Sequence, residues 1–184
     1  ATAKRLGAVV SSFDVRASTK EQVESLGAKF IQVEEKVDSG ETAAGYAKEM
    51  SASYKKKQAK LLEDSIAKTD IVITTALIPG KPAPKLITKK MVESMKVGSV
   101  IIDLASEFGG NCELTKHGEI LDYKSKKIVG PTNLPSSVSQ DSSRLFAKNV
   151  INFLMNSCES GKFSDFNWVD EVVKETCVIR NLKK

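Results

Sequence analysis

The first place where this chain could do chemistry is an aspartate that closes a run of small, apolar and β-branched residues. Asp14 ends the stretch Ala8–Phe13 (AVVSSF) and is followed by Val15 and Arg16. Ala8–Arg16 reads as a buried parallel strand with a carboxylate at its carboxyl end, which is where open α/β sheets bind ligands. A carboxylate there can accept hydrogen bonds from both hydroxyls of a ribose. Its usual companion is a glycine-rich pyrophosphate turn about 20 residues earlier. The sequence contains no GxGxxG turn.

Other reactive side chains form no nucleophile-and-base pair. Asp103 and Glu107 fall near the end of a second apolar run, Ser99–Leu104. Parallel strands commonly carry polar residues there, so a structural role is the better reading for both. The single histidine, His117, sits among Thr115, Lys116, Gly118 and Glu119, a solvated turn rather than the centre of a zinc site or a triad. A nucleotide site without an acid or base suits hydride transfer between two nicotinamides. That reaction moves no separate proton and depends on proximity and orientation.

The elements that must position these residues follow in order. Ala1–Leu6 reads as the tail of a helix stopped by Gly7. Ser18–Leu26 is a second helix, with Ser18 and Glu21 at capping-box spacing and Gly27 at its end. Lys29–Val33 is a short strand. Glu34–Gly45 is polar and glycine-bearing, a surface loop. Tyr46 beyond it is either a packing residue of the next helix or an aromatic on a closing lid.

Ala47–Lys68 is a lysine-rich helix. Asp70–Ala76 (DIVITTA) reads as a central parallel strand buried on both faces. It runs into Leu77–Pro84 (LIPGKPAP), a proline-stiffened loop at a strand's carboxyl end, where a ligand would lie. Thr88–Met95 is a helix with Thr88 as its cap, and Ser99–Leu104 is another buried strand. Ala105–Glu113 is a loop, Lys127–Gly130 a short strand and Asp141–Met155 an amphipathic helix. Phe163–Trp168 is an aromatic loop, and Glu175–Arg180 (ETCVIR) reads as a last strand. Repeated strand–helix alternation predicts a parallel α/β sheet with right-handed crossovers.

Composition narrows the class. At 184 residues and 41% hydrophobic, the chain can build a core of its own. The net charge of +5 comes from scattered lysines, without the dense basic block and interleaved aromatics of a nucleic-acid binder. Cys112, Cys158 and Cys177 show no CxxC spacing, which points to reduced thiols in an intracellular compartment. No run of 18 apolar residues and no signal-peptide pattern occurs in the sequence.

Several segments together resemble one family. They are Ala1–Ala8 (ATAKRLGA), Asp14–Val15–Arg16, Lys20–Gly27 (KEQVESLG), Gly45–Met50 (GYAKEM) and Thr75–Pro84 (TALIPGKPAP). Met95–Ala105 (MKVGSVIIDLA), Gly109–Asn111 and Thr176–Arg180 (TCVIR) complete the set. The chain resembles the NAD(H)-binding domain of proton-translocating nicotinamide nucleotide transhydrogenase, in the alanine dehydrogenase/transhydrogenase family, over nearly its whole length.

The resemblance implies a Rossmann-type, doubly wound α/β fold. It implies binding of NAD(H), and hydride exchange with NADP(H) held on a partner domain, coupled to proton movement through a membrane domain. It also implies a homodimer, and a peripheral domain on the cytoplasmic or matrix side of a membrane. By motif match Asp14 would bind the adenosine ribose, with Val15 and Arg16 lining the same site. Gly45 and Tyr46 would belong to a mobile loop that closes over the nucleotide, and Leu77 would contact it.

The family's first strand and GxGxxG turn come immediately before the position of Ala1. On the resemblance, residues 1–157 are therefore a nucleotide domain incomplete at its N-terminus. Residues 158–184 are a return segment toward an amino-terminal subdomain. Two alternatives remain: an alanine dehydrogenase-like oxidoreductase, and a nucleotide-binding fragment without activity of its own. The first would need a catalytic carboxylate in the loop where this chain has Glu107 in SEFGG.

Overall fold

A computed structural model of the chain describes residues 1–33, 51–78, 80–158 and 166–179. It divides into two units, Ala1–Thr132 and Asn133–Lys184. The loop expected over 34–45, together with Gly45 and Tyr46, lies outside the described residues.

In the first unit, helix α1 (Thr2–Arg5) leads into strand β1 (Ser11–Phe13), helix α2 (Thr19–Ser25) and strand β2 (Lys29–Ile31). β1 and β2 pair in parallel, Ser11 opposite Lys29 and Phe13 opposite Ile31, as a two-stranded sheet. Gly7 and Gly27 end α1 and α2 at φ +88° and +76°, the left-handed turn that glycine adopts without a Cβ penalty. The expected capping box does not form. Ser18 has φ −60° and ψ −26°, already helical, and makes no cap bond. Thr19 Oγ1 instead donates to the Arg16 carbonyl at 2.8 Å.

The strand expected over Ala8–Phe13 is shorter and not buried. It covers Ser11–Phe13, and Val9 is 99% exposed. With β2 as its one strand partner among the described residues, nothing in a two-stranded sheet covers those side chains.

Four further strands form a second sheet in the order β3–β4–β6–β5. They are β3 (Ile71–Thr74), β4 (Val100–Asp103), β5 (Ile120–Tyr123) and β6 (Lys126–Val129). β3, β4 and β6 run parallel, and β5 pairs antiparallel with β6. The β5–β6 hairpin has no counterpart among the expected elements. Its two-residue turn, Lys124–Ser125, takes φ +49° and +59°, the double left-handed conformation that joins tight hairpins. Neither residue is the asparagine or glycine that normally signals it.

Helix α3 (Ala52–Ile66) is capped by Ser51, whose side chain accepts from the Tyr54 N–H. Helix α4 (Lys89–Ser94) is capped as expected by Thr88, which accepts from the Met91 N–H at 3.2 Å. Ile66, Met91, Val92 and Met95 from these helices join Ile87, Ile101, Cys112 and Ile128 in one apolar core.

β3 is not the doubly buried central strand its composition suggests. It is an edge of the four-stranded sheet, and Ile71 and Ile73 are 62% and 61% exposed. Val72 and Thr74, alternating to the other face, meet the core side.

In the second unit, α5 (Leu134–Ser137) precedes α6 (Ser139–Ser157), a long helix with Leu145, Phe146, Ile151 and Met155 exposed. Residues 175 and 176, expected to begin a strand, end helix α7 (Glu171–Thr176). Asp170 decides this: its Oδ1 accepts from the Val173 N–H at 3.1 Å, a cap that satisfies a first-turn donor. Its Oδ2 accepts from Asn156 Nδ2 at 3.0 Å, tying the start of α7 to α6.

Candidate functional site

Asp14 directly follows β1, at the carboxyl end the sequence assigns it. It is bound to a neighbour two residues on. Its Oδ1 accepts from the Arg16 backbone N–H at 2.9 Å and from Arg16 Nε at 3.0 Å, and its Oδ2 accepts from Nη2 at 2.8 Å. This is a forked, charge-assisted pair in a half-buried setting. Burial pushes the Asp14 carboxyl up, but the Arg16 side-chain and backbone hydrogen bonds and its charge outweigh burial and hold it below the ordinary value.

A carboxylate offers about four lone-pair sites. Ribose hydroxyls would therefore share Asp14 with Arg16 rather than meet a bare anion. The residues fit a nucleotide ribose on those terms. The chain's course brings Asp14, Val15 and Arg16 together in one turn.

Leu77 lies elsewhere, in the loop after β3 on the four-stranded sheet, and is 49% exposed. Its loop rests on the segment after β4. There, the 3-10 turn Ser106–Phe108 leads to Gly109 and Gly110, at φ +94° and +75°. The Ala83 N–H donates to the Phe108 carbonyl at 2.8 Å, and the Leu86 and Ile87 N–H groups both donate to the Asn111 carbonyl. Lys85 Nζ reaches the Gly109 carbonyl.

The Asn111 side chain, fully buried, completes the joint. Its Nδ2 donates to the Ala76 and Pro84 carbonyls, each at 2.9 Å, and its Oδ1 accepts from the Ala76 N–H at 3.0 Å. Sequence reasoning assigned Asn111 no role. Nothing local distinguishes it from a turn asparagine, because its partners are 27 and 35 residues away.

Asp103 is structural, as expected. It is fully buried at the end of β4. Oδ1 accepts from the Ala105 N–H, and Oδ2 from the Cys112 N–H at 2.9 Å and Thr115 Oγ1 at 2.7 Å. Glu107 is exposed on the turn beyond it. Burial pushes the Cys112 thiol up, away from the reactive thiolate.

His117 is exposed and does meet a serine: its Nδ1 lies 3.2 Å from Ser106 Oγ. The pair is oriented against nucleophilic chemistry. Ser106 donates its one hydrogen to the Pro131 carbonyl at 2.9 Å, so the hydrogen between the two side chains belongs to the imidazole. Among the described residues no group of three or more His, Cys, Asp or Glu side chains could hold a metal ion. No helix among them is long and apolar enough to cross a membrane.

Parallel strands with ligand-facing carboxyl ends, and a carboxylate after β1, define a nucleotide-type α/β domain without deciding its lineage. The model of the alanine dehydrogenase/PNT C-terminal domain matches residues 1–183. The chain belongs to that family.

Within it, the chain is 58% identical over 183 residues to the first of the chains that make up the NAD(P) transhydrogenase alpha subunit of Rhodospirillum rubrum, covering 98% of this chain and 48% of that protein. It is 34% identical over 140 residues to alanine dehydrogenase 1 of Staphylococcus aureus, covering 74% of this chain and 38% of that one. The crystal structure of transhydrogenase from Sinorhizobium meliloti superposes with a TM-score of 0.74 at 46% identity, over 94% of this chain and 44% of that one. This alanine dehydrogenase/PNT chain thus spans about half the length of the relatives it matches. Its α/β fold, with a sheet dominated by parallel strands, is that of the family.

Proposed function

We propose that the chain is the NAD(H)-binding component of a proton-translocating transhydrogenase. The observation that carries this is 58% identity, across 98% of the chain, to a protein named as a transhydrogenase alpha subunit. Residues 1–157 would form the nucleotide domain and 158–184 the segment returning toward an amino-terminal subdomain. NAD(H), when bound, supplies the hydride-carrying nicotinamide. This chain's residues then have to hold and orient it. Asp14 accepts from the adenosine ribose while Arg16 keeps the carboxylate ionised, and Val15 lines the same turn. Leu77 meets the nucleotide from the loop after β3, and Gly45 and Tyr46 close over it.

The hydride partner is NADP(H) on a separate domain, and coupling to protons belongs to a membrane domain. The domain works as a homodimer on the cytoplasmic or matrix face. The lack of an oriented nucleophile–base pair among the described residues favours this reaction, which asks for alignment rather than proton transfer.

The test uses the full-length protein. It should bind NADH and transfer hydride between NAD(H) and NADP(H). Asp14→Ala should weaken NADH binding about tenfold or more, the scale of a hydrogen bond to a charged group. Undiminished NADH binding by that variant would remove Asp14 from the site. Turnover of pyruvate, ammonia and NADH at a rate comparable to transhydrogenation would instead favour an alanine dehydrogenase.

A further inference from the structure

A single buried amide holds both ends of the loop that carries Leu77. Nδ2 of Asn111 has two hydrogens: one goes to the Ala76 carbonyl, just before the loop, and the other to the Pro84 carbonyl, just after Ala83. Oδ1 accepts from the Ala76 N–H, so the side chain pairs with Ala76 as a neighbouring strand would. β3 has ended two residues earlier, at Thr74, so this amide continues the ladder where the sheet stops.

The backbone of Asn111 repeats the link by accepting from the Leu86 and Ile87 N–H groups. Its own place is tightly constrained. A Cβ on Gly110 would lie 2.7 Å from Asp103 Oδ2 and 3.0 Å from Thr115 Cβ, so glycine alone lets the turn seat Asn111 this deeply. The loop 77–83 therefore starts and finishes on one side chain that is itself fixed through Gly110 and Asp103.

We propose that Asn111 is the positioning residue of the nucleotide loop: by clamping Ala76 and Pro84 it sets where Leu77 stands, and so the affinity for the nucleotide. The inference rests on the reading of Leu77 as a nucleotide contact. Asparagine is required chemically. Aspartate keeps the size and the acceptor but presents an oxygen to two carbonyls. Alanine leaves one N–H and two carbonyls without this partner.

The test compares three variants of the full-length protein by NADH titration, with folding checked by circular dichroism. Asn111→Asp should raise the NADH dissociation constant about tenfold, the direction and scale expected when a contact is displaced without being removed. Val92→Ala opens a cavity at a fully buried core position away from the loop. It should leave the constant within about twofold. Lys85→Met removes the exposed tether to the Gly109 carbonyl and should raise the constant about threefold, one neutral-scale hydrogen bond.

Equal effects of Asn111→Asp and Val92→Ala would overturn the proposal, because the clamp would then matter only for stability. If Asn111→Asp does not fold, Lys85→Met carries the test, and unchanged affinity there overturns it. Absence of NADH binding by the unaltered protein would count against the nucleotide reading itself, and the clamp's role with it.

Discussion

Replacing Asp103 with alanine should open the segment after β4 without touching any group assigned to hydride transfer. Asp103 is fully buried and accepts three hydrogen bonds, from the Ala105 and Cys112 N–H groups and from the Thr115 hydroxyl. Thr115 is half-buried, and its hydroxyl can turn toward water. The two backbone donors cannot, and each buried donor left without an acceptor costs about 1–3 kcal/mol. A water entering the space of the lost carboxylate would recover part of that, which leaves about 3 kcal/mol.

The cost is local, so it should appear as local opening. At about 1.4 kcal/mol per tenfold, amide exchange in a peptide spanning 104–115 should accelerate about 150-fold in Asp103→Ala. In Asp103→Asn the acceptor facing Ala105 survives and the amide NH₂ faces the Cys112 donor. The acceleration should be about tenfold. Hydrogen exchange read by mass spectrometry in the full-length protein measures both. Exchange within about threefold of the unaltered protein in Asp103→Ala would refute the argument. A collapse of turnover with exchange unchanged would assign Asp103 to the chemistry instead.

Two further outcomes follow from the geometry. Gly109 and Gly110 both have positive φ, but a Cβ on Gly109 meets nothing within 4 Å whereas one on Gly110 collides with Asp103. Gly109→Ala should cost about 1 kcal/mol of left-handed strain, and Gly110→Ala at least about 2 kcal/mol, a difference that thermal unfolding will resolve. The Asp14 carboxyl is held below its ordinary value in the folded state, so its contribution to stability is complete above the unfolded value of about 3.9 and is lost as pH falls through the lower folded value. Burial is the largest influence on Asp14 and acts upward. Arg16→Met should therefore carry the carboxyl's NMR titration midpoint above the ordinary value, and a midpoint that stays low would show that Arg16 is not what holds it down.

Much of the site and its elements was legible because the causes are local. Gly7, Gly27 and Thr88 end or begin helices through bonds within a few residues, and so did their signals. Asp14 stands at the carboxyl end of its strand because a carboxylate after an apolar run has few other places to be. Asp103 was rightly read as structural from its place in a buried run. Where local signals competed, a neighbour decided. The β-branched tail of ETCVIR reads as a strand, yet Asp170 caps a helix that takes in Glu175 and Thr176.

What the chain determined by itself was the α/β class, the order of its elements and the family, since periodicity, caps and motifs are properties of neighbouring residues. Tertiary structure alone decided the rest. The apolar run of β3 specified a strand, but its burial depended on its place at a sheet edge, with Ile71 and Ile73 exposed. Asp14 became a shared acceptor rather than a free anion because the turn folds Arg16 back onto it. Asn111 became a clamp because the loops after β3 and β4 meet across 27 and 35 residues of sequence. Hydrogen bonds between distant segments depend on which strands become neighbours, and no short stretch of residues encodes that.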